Sequence, residues 1–154
     1  MKAEASVEQF RALAQFRYLV REYLNGTEKA CTAVGLEPLH YSVLLQLVGL
    51  PADQRPTIGF VAKRLFLRHH SAVELIDRME KRKLVRRVRA REDHRIVELH
   101  VTPSAKALLK RLVSYRIEEL AVLGPAFARS INACFRNRPR PKGRATPRKL
   151  HLVA

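Results

Sequence analysis

The chain has 154 residues, 47% of them hydrophobic, which suits one domain able to bury roughly two-thirds of its unfolded surface. Uncharged stretches such as Tyr41 to Ala52 fall short of the ~20 apolar residues of a membrane span, and Glu4 and Glu8 interrupt the start before a leader-like apolar block forms. The net charge is +16, from 30 Lys and Arg against 14 Asp and Glu, which favours a polyanion as partner, nucleic acid before an anionic membrane.

From Val7 to about Ala33, Phe10, Leu13, Phe16, Val20, Tyr23 and Leu24 recur at helical steps and predict one long amphipathic helix, with Gly35 as its C-terminal cap. Pro38 opens a second helix, about Leu39 to Leu50, which stops at Pro51. After a proline-flanked loop, Thr57 caps a short third helix, Ile58 to Leu65. A fourth, about His69 to Lys83, buries Ala72, Leu75, Ile76 and Met79.

The period then changes to two. Leu84–Val88 and Ile96–Val101 read as two short strands, and the segment Arg89 to Arg95 between them is a basic hairpin tip. Thr102-Pro103 starts a fifth helix with Ala105, Leu108, Leu109, Leu112, Val113, Ile117 and Leu120 on its apolar side. Gly124-Pro125 is expected to break it, a further short helix running from Ala126 to about Asn137. Beyond Glu119 there is no acidic residue, and eight basic ones lie between Arg129 and Lys149. Residues 138–154 therefore read as a basic, proline-rich flexible tail.

The expected fold is mainly α with a small β-hairpin. Three short helices followed by a charged hairpin is the order of a winged helix-turn-helix. A short helix can enter the major groove of DNA, and an arginine-bearing hairpin can reach phosphates or the minor groove. Residues 37–102 would form that lobe, flanked by helical segments at 7–36 and 103–137 that build a dimer.

The residues also resemble a family. Leu39-His-Tyr-Ser-Val-Leu44, Pro56-Thr-Ile-Gly-Phe-Val-Ala-Lys-Arg-Leu65, His69-His-Ser-Ala-Val-Glu-Leu-Ile-Asp-Arg78, Leu84-Val-Arg-Arg87, Asp93-His-Arg95 and Leu99-His-Val-Thr102 together look like the MarR-type transcriptional regulators. The His-His-Ser-Ala-Val-Glu-Leu run resembles one subgroup of them. The resemblance implies a cytoplasmic homodimer that binds a pseudo-palindromic operator in double-stranded DNA, as a repressor, with no cofactor.

By the same resemblance, Arg68, His69, His70, Ser71 and Glu74 open the recognition helix and meet bases and phosphates. Arg95 would enter the minor groove, braced by Asp93 in a bidentate pair, with Arg89 and Arg91 on phosphates. Arg87 matches a family arginine of the first strand whose role is more structural. Lys83 stands where the family usually has Gly, at a cost of about 1 kcal/mol if its backbone is left-handed, and the proline-rich tail is expected to shorten the last helix. A small aromatic effector would meet Phe16, Tyr23, His40 and Tyr41, whose alternative role is to fill the core.

Other readings are weaker on the residues. A zinc site drawing on His69, His70, His94 or His100 has no supporting spacing. Cys31 is a redox-sensor candidate or a packing residue; with Cys134 it lacks CxxC spacing and fits a reducing compartment. No GxGxxG, P-loop, HExxH or GxSxG motif suggests an enzyme. The alternative function is a basic nucleoid-type or RNA-binding protein without sequence preference, which would show only the electrostatic component of binding.

Overall fold

The computed structural model describes residues 4–136; the expected tail over 138–154 lies outside the described residues. The order is α1 (Val7–Ala33), α2 (Pro38–Val48), α3 (Ile58–Arg64), α4 (His69–Lys81), β1 (Val85–Arg89), β2 (Val97–Val101) and α5 (Pro103–Phe135). The winged helix-turn-helix is α2 to β2, carried between the two long helices.

Local chemistry sets most boundaries. Ser6 and Gln9 form a reciprocal capping box at the start of α1, and Thr57 and Thr102 each accept from a backbone N–H to open α3 and α5. Three helices end in one manner. A left-handed residue follows the helix, and the next amide reaches back to the carbonyl five residues earlier. At Gly35 (φ 68°) the closing bond is Leu36 N–H to Cys31 O, at Phe66 (φ 54°) Leu67 N–H to Ala62 O, and at Lys83 (φ 56°) Leu84 N–H to Met79 O. Only the first uses glycine. The left-handed Lys83 ends α4 at Lys81, short of the expected Lys83, and Gly49 caps α2 at Val48 rather than Leu50.

The lobe core is continuous. Leu44, Leu47, Phe60, Val61, Leu75, Ile76 and Met79 meet Val85 and Leu99 of the hairpin and Leu109 and Leu112 of α5. The hairpin is antiparallel, with Val85 opposite Val101 and Arg87 opposite Leu99. Both strands begin one residue later than the alternation predicts. The N–H of Leu99 donates outward to Pro56 O at 2.7 Å, so the loop before α3 lies along β2.

The fifth helix corrects the sequence reading. Gly124-Pro125 does not break it: α5 runs 33 residues straight through Pro125, and the last helix is long rather than cut short. Proline removes one N–H, leaving the Ala121 carbonyl without its helical donor, but tertiary contacts to α1 hold the helix beyond that gap. Phe16 meets Phe127 edge-to-face with ring centroids 6.1 Å apart, and Gln9 Nε2 donates to Cys134 O at 3.2 Å.

The single apolar stripe expected on α1 is two. Ala12 and Leu19 are buried and Phe16, Val20 and Tyr23 half-buried, whereas Phe10, Leu13 and Leu24 are more than half exposed. Between α1 and α5 lies Arg116, only 2% exposed. Its guanidinium sits 4.2 Å from the centre of the Tyr23 ring, donates to the Tyr23 carbonyl at 2.6 Å and pairs with Glu119. Gly26 makes room for this, since a Cβ there would run into Arg116 and Glu119.

Two stability outcomes follow from this packing. Replacing Lys83 by Gly relieves the left-handed strain without losing packing, and should raise unfolding stability by about 0.5–1 kcal/mol in a urea titration. Gly26→Ala should lower it by about 1–2 kcal/mol, despite the ~1 kcal/mol helix-propensity gain of alanine, because the buried Arg116 is displaced.

Candidate nucleic-acid interface

Arg68 is the N-cap residue of α4, and no side chain caps the helix there. No acidic residue lies in its first turn, so the open amides and Arg68 present a positive end to solvent. Arg68, His69, His70 and Glu74 are exposed, and Ser71 is half-buried. The opposite face, Ala72, Leu75, Ile76 and Met79, is sealed into the core as the helical spacing predicts.

Two arginine clusters hold α4. Near its C-terminus, Arg87 of β1 donates to Glu80 Oε2 at 2.5 Å and to Asp77 Oδ1 at 2.6 Å, while its backbone N–H donates to Glu80 Oε1 at 2.9 Å. These bonds, led by the backbone one, hold the Glu80 carboxyl below the ordinary glutamate range. The Arg87 guanidinium is thus committed to α4 rather than to solvent. Arg82, the C-cap residue, donates to Gly35 O at 2.6 Å and to Glu37 at 3.2 Å, and its other contact is His40 Nδ1 at 3.4 Å. Burial pushes the His40 imidazole below its usual pKa. Since a guanidinium only donates, a hydrogen bond between Arg82 and His40 requires Nδ1 to be the accepting nitrogen of the ring.

The wing tip is a compact turn. Ala90 N–H donates to Ile96 O and Ile96 N–H to Asp93 O, both at 2.9 Å. Asp93 does brace Arg95, but through the backbone: Oδ1 accepts from the Arg95 N–H at 2.9 Å. The expected bidentate pair with the guanidinium is not what forms. A side-chain oxygen two residues before an amide in a turn reaches that amide first. Arg89, Arg91 and Arg95 stay exposed and form no carboxylate pair among the described residues.

Sequence reasoning missed Arg55. From the loop before α3 it donates to Glu92 at 2.8 Å and lies 4.0 Å from Glu98, tying that loop to the wing. A partner 37 positions away leaves no spacing signal. A cleft of about 540 Å³ beside it gathers Arg55, Arg86, Arg89, Arg91 and His100.

The four effector-contact candidates are all engaged in packing. Phe16 packs on Phe127, Tyr23 lies under Arg116, and His40 and Tyr41 are buried in the lobe. An open cleft of about 630 Å³ between α1 and α5 is lined instead by Glu22, Gly26, Lys29, Ala33, Leu112 and Tyr115, among others. Cys31 is 1% exposed and burial raises its thiol pKa, so it offers little thiolate. Among the described residues no group of three or more His, Cys, Asp or Glu is placed to hold a metal.

Comparison with known proteins bears on the lobe first. The MarR family model matches residues 34–96. An uncharacterized HTH-type transcriptional regulator of Bacillus subtilis, YsmB, is 32% identical over 71 residues, 46% of this chain and 49% of that protein. The chain thus spans about half the length of the curated relative it matches. Among solved structures, a MarR family protein from Bacillus stearothermophilus superposes with TM-score 0.66 at 21% identity, over 86% of this chain and 94% of that one. A Staphylococcus aureus MepR–DNA complex does so with TM-score 0.59 at 19% identity, over 71% and 78%. From the end of α1 to the wing tip the sequence is similar to the MarR family, and the fold of the described chain is the winged helix of these proteins.

Proposed function

We propose that this chain is a MarR-type transcriptional regulator that binds double-stranded DNA with sequence preference. The observation that carries the reading is the arrangement around Arg87. It ties the hairpin to α4, so the exposed Arg68–His70 segment and the Arg89–Arg95 tip form one rigid basic surface. In this reading the N-terminal end of α4 enters the major groove, and Arg95 reaches the adjoining minor groove. The finer likeness of the His-His-Ser-Ala-Val-Glu-Leu run to one subgroup belongs here too: His69, His70, Ser71 and Glu74 would set base preference. The MepR structure described as a DNA complex supports it by likeness of fold.

The functional unit in this reading is a homodimer in the cytoplasm. Phe10, Leu13, Ile117, Leu120 and Phe135 stay exposed on α1 and α5, an apolar area that a second copy would cover. Two recognition helices then require half-sites about one helical turn apart, 10–10.5 bp. The regulator acts as a repressor, released by a small aromatic anion that binds the DNA-incompetent form about 1–3 kcal/mol more tightly. Oxidation of Cys31 is the competing trigger, and its burial weighs against it. Aromatic carboxylates and peroxide, applied to operator complexes of the parent and of Cys31→Ser, separate the two.

Footprinting should show a paired, pseudo-palindromic site preferred by about 10³-fold or more over random DNA. A purely electrostatic profile would favour the nucleoid-type alternative. Sedimentation at micromolar concentration should show a dimer, and a stable monomer would refute that part. Arg95→Ala should weaken operator binding by roughly 1–3 kcal/mol with the fold intact, and Asp93→Ala by less. Parent-like binding by both would remove the wing from the interface.

A further inference from the structure

The side chain of Phe66 has no packing role in the fold. It follows α3 in the turn of the helix-turn-helix, three residues before α4 begins, and its side chain is 96% exposed, more than any other large apolar side chain among the described residues. Its backbone is left-handed, at φ 54°, where a Cβ costs energy and glycine is the unstrained choice. An aromatic here therefore adds strain and exposes apolar surface while packing against nothing. Such an outlier points to a contact outside the chain.

The surroundings identify the partner. No acidic residue occurs between Asp53 and Glu74, whereas Lys63, Arg64 and Arg68 flank Phe66 and are exposed. Arg64 is turned toward α2 by its bond to Gln46 Oε1 at 2.7 Å, whereas Lys63 and Arg68, before and after Phe66 in the chain, form no ion pair among the described residues. A ring between two cations suits a polyanion whose backbone also carries apolar surface. The deoxyribose edge and the thymine methyl of duplex DNA supply that surface. The other large apolar side chains that are more than half exposed, Phe10, Leu13, Ile117 and Val122 among them, all belong to α1 and α5, so Phe66 is not part of the face they form.

We propose that Phe66 is a DNA contact, seating its ring on the sugar and thymine-methyl edge of the strand at the lip of the major groove that α4 enters. The proposal rests on the DNA-binding reading above and adds a non-ionic contact to it. The ring fixes the depth at which α4 sits while Lys63 and Arg68 hold the flanking phosphates.

The test uses the full chain and a duplex selected by the parent from random-sequence DNA, titrated across a salt series. Phe66→Gly and Phe66→Asn both keep the left-handed turn and should lower affinity about tenfold. The slope of log affinity against log salt should not change, because no phosphate contact is lost. Arg68→Ala should instead make that slope shallower by about one. Phe66→Tyr should retain most of the affinity. Phe66→Gly should also raise the thermal midpoint, so the weaker binding cannot be assigned to a damaged fold. Parent-like binding by the Gly and Asn variants would overturn the proposal. So would a loss accompanied by a shallower slope, which would mean that Phe66 merely positions Arg68. A parent chain that selects no duplex would instead bring down the DNA-binding reading, and this contact with it.

Discussion

Arg87 is the constraint on which the proposed DNA-facing surface depends. Hairpins of two short strands are marginal alone, and an α4 seated only by its apolar face could roll. The guanidinium answers both needs by bridging Asp77 and Glu80 on α4 from the middle of β1. With the Arg87 side chain about a quarter exposed and its partners more so, solvent screens the pair. Its importance is geometric. It converts two elements that could move independently into one body with a fixed offset, and Arg82 repeats the device where α4 meets the α1–α2 corner.

The long helices answer to a different requirement. They meet over a buried arginine rather than an unbroken apolar seam. Arg116 is held through its two terminal nitrogens by Glu119 and the Tyr23 carbonyl and by the Tyr23 ring, its Nε being left without a hydrogen-bond partner, and Gly26 leaves room for it. A buried charge of this kind tolerates few alternative alignments, because sliding α5 along α1 strands the guanidinium. The Phe16–Phe127 contact then fixes the far end of the same pair and lets α5 continue across Pro125.

Helical spacing and the change to a period of two were enough to place all seven elements in order, because burial of one face is a local pattern. The buried face of α4 and the basic hairpin tip were legible for that reason. Three kinds of feature were not. Helix ends that rely on left-handed Phe66 and Lys83 carry no glycine signal at the turn itself, so α4 was read two residues too long. Continuity across Gly124-Pro125 comes from residues more than 100 positions away, such as Gln9 and Phe16. Ion pairs like Arg55–Glu92 join charges that look merely solvated in the sequence. Asp93 meets Arg95 at the backbone N–H instead of the expected guanidinium, because the turn sets that amide and not the side-chain end beside the carboxylate.

The hydrogen bond from Leu99 to Pro56 bears on how the protein behaves in a crowded solution. A two-stranded hairpin has two open edges, and each outward amide invites a strand from another molecule. Here the central outward amide of β2 is occupied by the Pro56 carbonyl and that of β1 by the Glu80 carboxylate. Pro56 has no N–H to continue the ladder, and a carboxylate cannot donate one. The wing can thus stand out from the body while the middle of each edge is closed to recruitment into an intermolecular sheet.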